Sequence, residues 1–239
     1  MTEKRISVGT VGYPIEHRRV HEVVDVVELL DGRFIPPRRR TARRLREDAH
    51  SSFAFTVQAP ISVFAARSDL PELELGGERD RFGELQLTDE NLGLWRRGLE
   101  FAAEVGAEAL VLLTPGALTP APANVKRLET FLAAVDRGGL PIVWEPRGPW
   151  ETERAQQVAL ANDLVLSVDP LRDEPAAGPL AYLRLGPFAA MGSRVGVYDL
   201  ERIAEAAQRF ERAFCLFDTP RALDDARNLK RVLVSEPVD

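Results

Sequence analysis

Val143-Trp144-Glu145-Pro146-Arg147-Gly148-Pro149-Trp150 is the stretch from which the fold can be read. With Ile142 in front, it begins as an apolar strand and ends abruptly in a carboxylate and a guanidinium. The chain breaks at Pro146-Arg147-Gly148-Pro149 and resumes in a helical pattern after Trp150. A buried strand that delivers Glu145 and Arg147 at its C-terminal end suits the top of an α/β barrel, where chemistry sits. The alternative is a structural Glu–Arg pair closing a strand end, since ion-pair networks also occupy such places.

Working outward, seven more short apolar runs have the length and β-branched content of buried parallel strands. Ile6–Thr10, Asp25–Leu29, Phe53–Gln58 and Ala109–Leu113 precede the central one, which runs from Pro141 to Glu145. Leu164–Val168, Leu180–Leu185 and Ala213–Phe217 follow it. Helical stripes lie between them. Leu92, Trp95, Leu99 and Ala102 share a face, with Thr88 placed to cap and Gly106 to stop the helix. Val125, Leu128, Leu132 and Val135 repeat the pattern before Gly138-Gly139, and Leu200, Ile203, Ala207 and Phe210 repeat it after Asp199. Thr219-Pro220 opens a last helix carrying Ala222, Ala226, Leu229 and Leu233, Pro being suited to a first helical position. Two connections depart from the alternation. Residues 59–88 are longer than the ~15 residues of an ordinary loop, with turn signals at Pro71 and Gly76-Gly77, and read as a lid, a binding loop or a partly disordered segment. Asp169 to Pro179 has three prolines and no helical period, so the helix between strands six and seven is expected to be missing. The expected architecture is a single-domain, irregular (β/α)8 barrel over residues 1–239, close to the about 250 residues such a barrel takes.

Composition narrows the function. The net charge of -6 argues against a broad nucleic-acid footprint, which needs a basic face. The local exception is Arg38 to Arg46, with six arginines in nine residues. It reads as a solvated helix face balanced by Glu47 and Asp48, or else as a phosphate-holding patch. No apolar run approaches the roughly 20 residues of a membrane helix, and Met-Thr-Glu-Lys-Arg leads into a strand without a signal-peptide core. Cys215 is the one cysteine, which excludes an internal disulfide and points to the cytoplasm.

Several segments, in order along nearly the whole chain, resemble the YecE-like family, the domain-of-unknown-function family numbered 72. Val8-Gly9-Thr10-Val11-Gly12-Tyr13 resembles its opening GTxG-aromatic turn, and Val27-Glu28 with Phe34 and Pro36-Pro37 its VExxxxFYxxP segment. Phe55-Thr56-Val57-Gln58-Ala59 is similar to its F-x-V-K-A strand. Leu113-Thr114-Pro115 and Trp144-Glu145-Pro146-Arg147-Gly148 with Trp150 follow the LQTP and WEPRGxW patterns of one branch. Tyr182-Leu183-Arg184-Leu185 resembles YxRLHG, and Phe217-Asp218-Thr219 with Asp225-Ala226 the FNN…DA ending. The resemblance implies an irregular TIM barrel and no specific reaction. The chain departs from the pattern at Leu30 (usually Asn), Gly32-Arg33, Gln58 (usually Lys), Phe64-Ala65 (usually Thr-His), Gly186-Pro187 (no His) and Asp218-Thr219. These departures imply either a different substrate or a site that has lost its chemistry.

In a barrel, strand ends converge on one mouth, so Glu28, Glu145 and Arg147 are the candidate catalytic residues. Paired carboxyls act as acid and base when held roughly 5 to 9 Å apart. Arg147 and Arg184 are donors suited to phosphate or carboxylate, and Asp169 and Asp218 are placed to orient them. Tyr13, Gln58 and Trp150, with the loop after Pro60, would wall the pocket. The alternative is that Glu28, Arg147, Arg184 and Asp218 form one mutually satisfied network. His17 and His21 have the i, i+4 spacing of zinc ligands on a solvated helix, but His17-Arg18-Arg19-Val20-His21 lacks the Glu of HExxH, and no metal is expected. No Walker, GxGxxG or GxSxG motif occurs, and no cofactor is expected. The expected partner is a small molecule. A hydrolase-like enzyme on a sugar- or phosphate-bearing substrate, or a binding protein with an eroded site, fits these residues.

Overall fold

The computed structural model describes residues 4–31, 34–70, 78–186 and 195–234. The turn signals at Pro71 and Gly76-Gly77, the Gly32-Arg33 departure and Pro187 lie outside the described residues. Eight strands close into a parallel barrel in chain order: β1 (Arg5–Val11), β2 (Val26–Leu29), β3 (Ala54–Gln58), β4 (Ala107–Thr114), β5 (Ile142–Pro146), β6 (Val165–Val168), β7 (Leu180–Leu185) and β8 (Arg212–Phe217). The helices among the described residues are α1 (His17–His21), α2 (Arg39–Asp48), α3 (Asp89–Val105), α4 (Pro122–Ala134), α5 (Thr152–Ala161), α6 (Val197–Gln208) and α7 (Ala222–Val234). The connection from β6 to β7 has no helix, as its prolines foretold.

The residues gather into two compact units. The first comprises Met1–Glu28, Asp48–Ala54 and Leu166–Asp239. In it β1 pairs with β2 through Gly9↔Val26 to Val11↔Glu28, and with β8 through Arg5↔Arg212 to Thr10↔Phe217. β8 pairs with β7, and β7 with β6 at Ser167↔Tyr182. At Gly9 the neighbouring backbone comes so close that a Cβ would sit 1.8 Å from the Val26 carbonyl oxygen, so only glycine fits. The second unit comprises Leu29–Glu47 and Phe55–Val165. Here β3 pairs with β4, with a register shift between Phe55 and Val57, and β4 pairs with β5 from Leu110↔Ile142 to Thr114↔Pro146.

The helix faces differ in detail from the expected stripes. In α3 the Thr88 hydroxyl accepts the Asn91 N–H at 3.3 Å and Gly106 ends the helix at φ 68, as read from sequence. The buried face, however, is Asn91, Leu94, Trp95, Gly98, Phe101, Ala102 and Val105, with Leu92 and Leu99 on its flank. α7 begins at Ala222, two residues past Pro220, and seats Asp225 among Ala222, Ala226 and Leu229. The Thr219 hydroxyl donates to Asp225 Oδ2 at 2.7 Å, which makes that inward carboxylate tolerable.

The described part of residues 59–88 is a packed loop. It is built from 3-10 turns at Ile61–Val63, Arg67–Asp69 and Arg79–Arg81, and buries Val63, Phe64, Phe82 and Leu85. Asn91 pins it from α3: its amide donates to the Gly83 and Gln86 carbonyls at 2.9 and 3.0 Å and accepts the Gly83 N–H at 3.0 Å. From Arg39 on, the arginine run forms α2, which buries Ala42 and Leu45, half-buries Arg46 and exposes the rest. α3 supplies acids as well: Arg39 pairs with Glu100 at 3.2 Å and Arg43 with Glu104, while Glu47 also acts on Arg43. Arg46 lies over the Phe55 ring at 4.9 Å. α1 also corrects an expectation. His17 is half-buried and His21 is buried, at 8% exposure, because aromatic neighbours at Tyr13 and Phe53 receive their rings. Among the described residues no helix is long and apolar enough to cross a membrane.

Candidate functional site

In the first unit, alternation along β7 turns Tyr182 and Arg184 to the same side. β7 and β2 are separated in the sheet by β8 and β1, so the side chains meet across the barrel interior. There Tyr182 donates its hydroxyl to Glu28 Oε2 at 2.8 Å, and Arg184 Nη2 lies 3.4 Å from Glu28 Oε1. The same nitrogen donates to Asp218 Oδ2 at 3.3 Å. Glu28 is fully buried and the Arg184 side chain is 7% exposed, whereas Asp218 keeps 37% of its side chain in solvent. One guanidinium is thus shared between a buried carboxylate and an accessible one. Arg184 thus faces two acids within the cluster.

The loop past β8 is drawn tightly to the end of β7. Asp218 N–H donates to the Leu185 carbonyl at 2.6 Å. Gly186, at φ 153, lies so close that a Cβ there would be 2.2 Å from the Asp218 carbonyl oxygen. On the other side, the Gly12 N–H donates to the Glu28 carbonyl at 2.9 Å, holding the turn that carries Tyr13.

In the second unit, Glu145 and Arg147 stand at the end of β5. Arg147 N–H donates to the Thr114 carbonyl at 3.1 Å, which fastens its backbone to the end of β4. Its Nε is 3.6 Å from Glu145 Oε1, beyond a hydrogen bond, with 46% of the Arg147 side chain and 20% of the Glu145 side chain exposed. Below them Trp144 donates its indole N–H to the Thr114 hydroxyl at 3.0 Å, and Trp150 donates to the Leu118 carbonyl at 2.7 Å. The two indoles meet edge to face at 4.9 Å. Gly148, at φ 109, rests its backbone on Gly116, where a Cβ would come within 2.7 Å of the carbonyl oxygen. Trp150 therefore serves as a strut with a committed polar tip. Gln58 ends β3 and is buried.

Of the remaining predicted residues, Asp169 stands just past β6. Its Oδ1 accepts the Leu171 N–H at 3.0 Å and its Oδ2 lies 3.4 Å from Arg172 Nε, so it organises its own turn after β6. Burial raises its carboxyl above the ordinary range, against the Leu171 N–H and Arg172, which pull it down. Tyr13 stacks one ring face on His17 at 3.8 Å and hydrogen-bonds His21 Nε2 at 2.9 Å. Sequence reasoning missed Tyr182 and Thr114. The signal for Tyr182 was its i, i+2 spacing from Arg184 within a strand; Thr114 lies at a strand end, where its partner comes from β5. Among the described residues, no group of three or more His, Cys, Asp or Glu is arranged to hold a metal ion. A shallow groove of about 530 Å³ lies elsewhere, lined by Leu87, Lys126, Glu129 and Asn162 among others, and none of the predicted site residues lines it.

No family model matches the chain, and no curated protein matches it. Solved structures do. A DUF72 family protein from Enterococcus faecalis superposes with a TM-score of 0.71 at 15% identity, covering 99% of this chain and 100% of that one. A DUF72 family protein from Thermotoga maritima gives 0.66 at 16% identity, covering 97% and 100%. A xylose isomerase domain protein from Planctomyces limnophilus gives 0.56 at 12% identity, covering 98% and 96%. At such identities the likeness speaks for the fold, which is also the one that the ordered motifs from Gly9 to Asp225 imply. The chain has the closed eight-stranded barrel of the DUF72, or YecE-like, family proteins.

Proposed function

We propose that this barrel is a hydrolase-like enzyme acting on a small sugar- or phosphate-bearing molecule, with Glu145 as a proton-transfer group and Arg147 as an anion clamp. The observation that carries the reading is the half-exposed Arg147 guanidinium, fastened through its backbone to β4 beside a carboxylate that is itself accessible. A fork of donors on a fixed stem suits a phosphate or carboxylate. In this reading Glu28, held by Tyr182 and Arg184, positions Arg184 against Asp218. The partner in this reading is a small molecule and the setting the cytoplasm, in keeping with one buried thiol.

A second reading, a ligand-binding protein without turnover, is supported by the mutual neutralisation of Glu28 and Arg184 and by the departures at Leu30, Gln58 and Gly186. Screening wild type, Glu145→Gln and Arg147→Gln on phosphoester and glycoside panels separates the two. Under the enzymatic reading, Glu145→Gln lowers kcat about 100-fold or more, and Arg147→Gln acts mainly on KM. Ligand-induced thermal stabilisation without turnover, unchanged in Glu145→Gln, selects the binder and removes the proton-transfer role.

A further inference from the structure

Where β2, β7 and β8 end, the first unit holds one cation in contact with two acids. Arg184 Nη2 lies 3.4 Å from Glu28 Oε1 and 3.3 Å from Asp218 Oδ2. Two carboxylates against one guanidinium leave one formal negative charge over. The neighbouring cations do not cancel it, because each is engaged elsewhere. Arg221 and Arg227 both pair with Asp224, at 3.4 and 3.0 Å, and Lys230 pairs with Asp25 at 2.7 Å. Asp225 takes the Thr219 hydroxyl instead of a cation.

Asp218 is the member of this cluster that a solute can reach. Glu28 is fully buried, whereas 37% of the Asp218 side chain is exposed. Asp218 Oδ2 faces Arg184, and among the described residues its Oδ1 accepts no hydrogen bond. The carboxylate is fixed as well as open. Its own N–H is bonded to the Leu185 carbonyl, its side chain to Arg184, and its backbone packs directly on Gly186. Phe217 pairs with Thr10 on one side and with Leu185 on the other. Asp218 therefore stands just past the C-terminal end of three adjacent parallel strands, the end at which barrels hold their ligands. An acceptor already held in place loses little freedom when a ligand arrives.

We propose that Asp218 Oδ1 anchors a binding site in the first unit for an organic ammonium group, the protonated amine of a small molecule. Charge and ligand number select this class. An anion would meet the surplus negative charge, and Arg184 already faces two acids. A hard metal ion takes about six or more oxygen ligands, and among the described residues no group of three or more His, Cys, Asp or Glu is arranged to hold one. A neutral hydroxyl can donate to Oδ1 but leaves the surplus charge in place. An ammonium N–H donates to Oδ1 and cancels the surplus at once, in a charge-assisted bond roughly twice as strong as a neutral one. The remaining N–H groups of the ammonium stay with water on the exposed side. The site takes nothing from the roles given to Glu145 and Arg147 and stands apart from both readings of them.

The test is an NMR titration of the full chain, labelled with 13C and 15N, at neutral pH. The probe is n-butylammonium chloride, with 1-butanol as its neutral isostere and sodium chloride as the ionic-strength control. The side-chain carboxyl carbon of Asp218 reports the site, and that of the fully exposed Asp163 reports unspecific attraction. n-Butylammonium should shift the Asp218 signal saturably, with a midpoint below about 50 mM, and the Asp163 signal only linearly. Neither 1-butanol nor sodium chloride should give a saturable shift. Asp218→Asn keeps an oxygen for Arg184 and removes the charge; it should weaken binding about 10-fold or more, read at the Gly186 amide. A thermal melt establishes that the variant folds, and if it does not, the contrast between amine and alcohol on the wild type decides alone. No saturable shift at Asp218, an equal response to 1-butanol, a matching response at Asp163, or undiminished binding in folded Asp218→Asn each overturns the site. The titration requires no turnover, so its result and that of the activity panels are read separately.

Discussion

Asp169 shows how one carboxylate can look like a site residue in sequence and carry a stability cost in the fold. Burial raises its carboxyl pKa, while the Leu171 N–H and Arg172 offset part of the effect. A folded value above the unfolded one means that folding favours the protonated form. The associated stability is complete below the ordinary aspartate value of about 3.9 and is lost as pH rises through the raised folded value. At neutral pH the charged group therefore costs stability. Asp169→Asn keeps an oxygen for the Leu171 N–H and removes the charge, so its melting temperature at pH 7 should match or exceed wild type by about 2 °C. That advantage should vanish near pH 3.5. Melts at the two pH values check it, and a variant that is less stable at pH 7 but not near pH 3.5 would show the Arg172 pair to outweigh burial. Of the residues singled out from sequence, Glu28 and Arg184 are joined in one cluster with Asp218, whereas Asp169 turns to its own loop. Position after a strand was legible, and so was the grouping of Glu28, Arg184 and Asp218; Tyr182 as the partner of Glu28 was not, because it comes from a strand far away in sequence.

At the scale of elements, boundaries were readable where the chain's chemistry acts locally. Thr88 and Gly106 bracket α3, and β5 ends where Pro146 removes a backbone donor. The α3 face was misjudged because Leu92 and Leu99 have the right period but lie to one side, with Asn91 on the buried face tying down the loop after β3. Gly9 belongs to this scale as well, since it lets β1 approach β2. Gly9→Ala would bring a Cβ to 1.8 Å from the Val26 carbonyl oxygen. Backbone cannot yield as a flexible side chain would, so a loss of about 3 kcal/mol or more is expected. Urea unfolding should show a lower midpoint at unchanged slope, and a loss below about 1 kcal/mol would mean that the strands part at little cost.

At the scale of the whole molecule, Cys215 reports on the core. It lies within β8 between Phe214 and Leu216, fully buried, and burial pushes its thiol from 9.0 up to about 12. A shift of three units leaves about 1000-fold less thiolate at mildly alkaline pH. An aromatic disulfide reagent at pH 8 should therefore label the native protein at the rate of opening, and the urea-unfolded chain at once. The same shift means that the stability from the neutral thiol is complete below 9 and is lost as pH rises toward 12. Fast labelling of a folded sample would place the β8 core in a locally open state.

The alternation of eight apolar runs with helical stripes, the missing helix before β7 and the strand-end placement of Glu28, Glu145, Arg147 and Arg184 were determined by the sequence alone. These are properties of neighbours in the chain: period, turn chemistry and apolar run length act over a few residues. Tertiary structure decided that Tyr182 would satisfy Glu28, 154 residues away, and which members of the network that the sequence offered as an alternative would meet: Arg184 with Glu28 and Asp218. It also decided that the α2 arginines would be balanced from α3 and that His21 would be buried beneath Tyr13. Each of those depends on strands and helices brought side by side by barrel closure. A polar group's partner is set by which element arrives next to it, and no local pattern encodes that arrival.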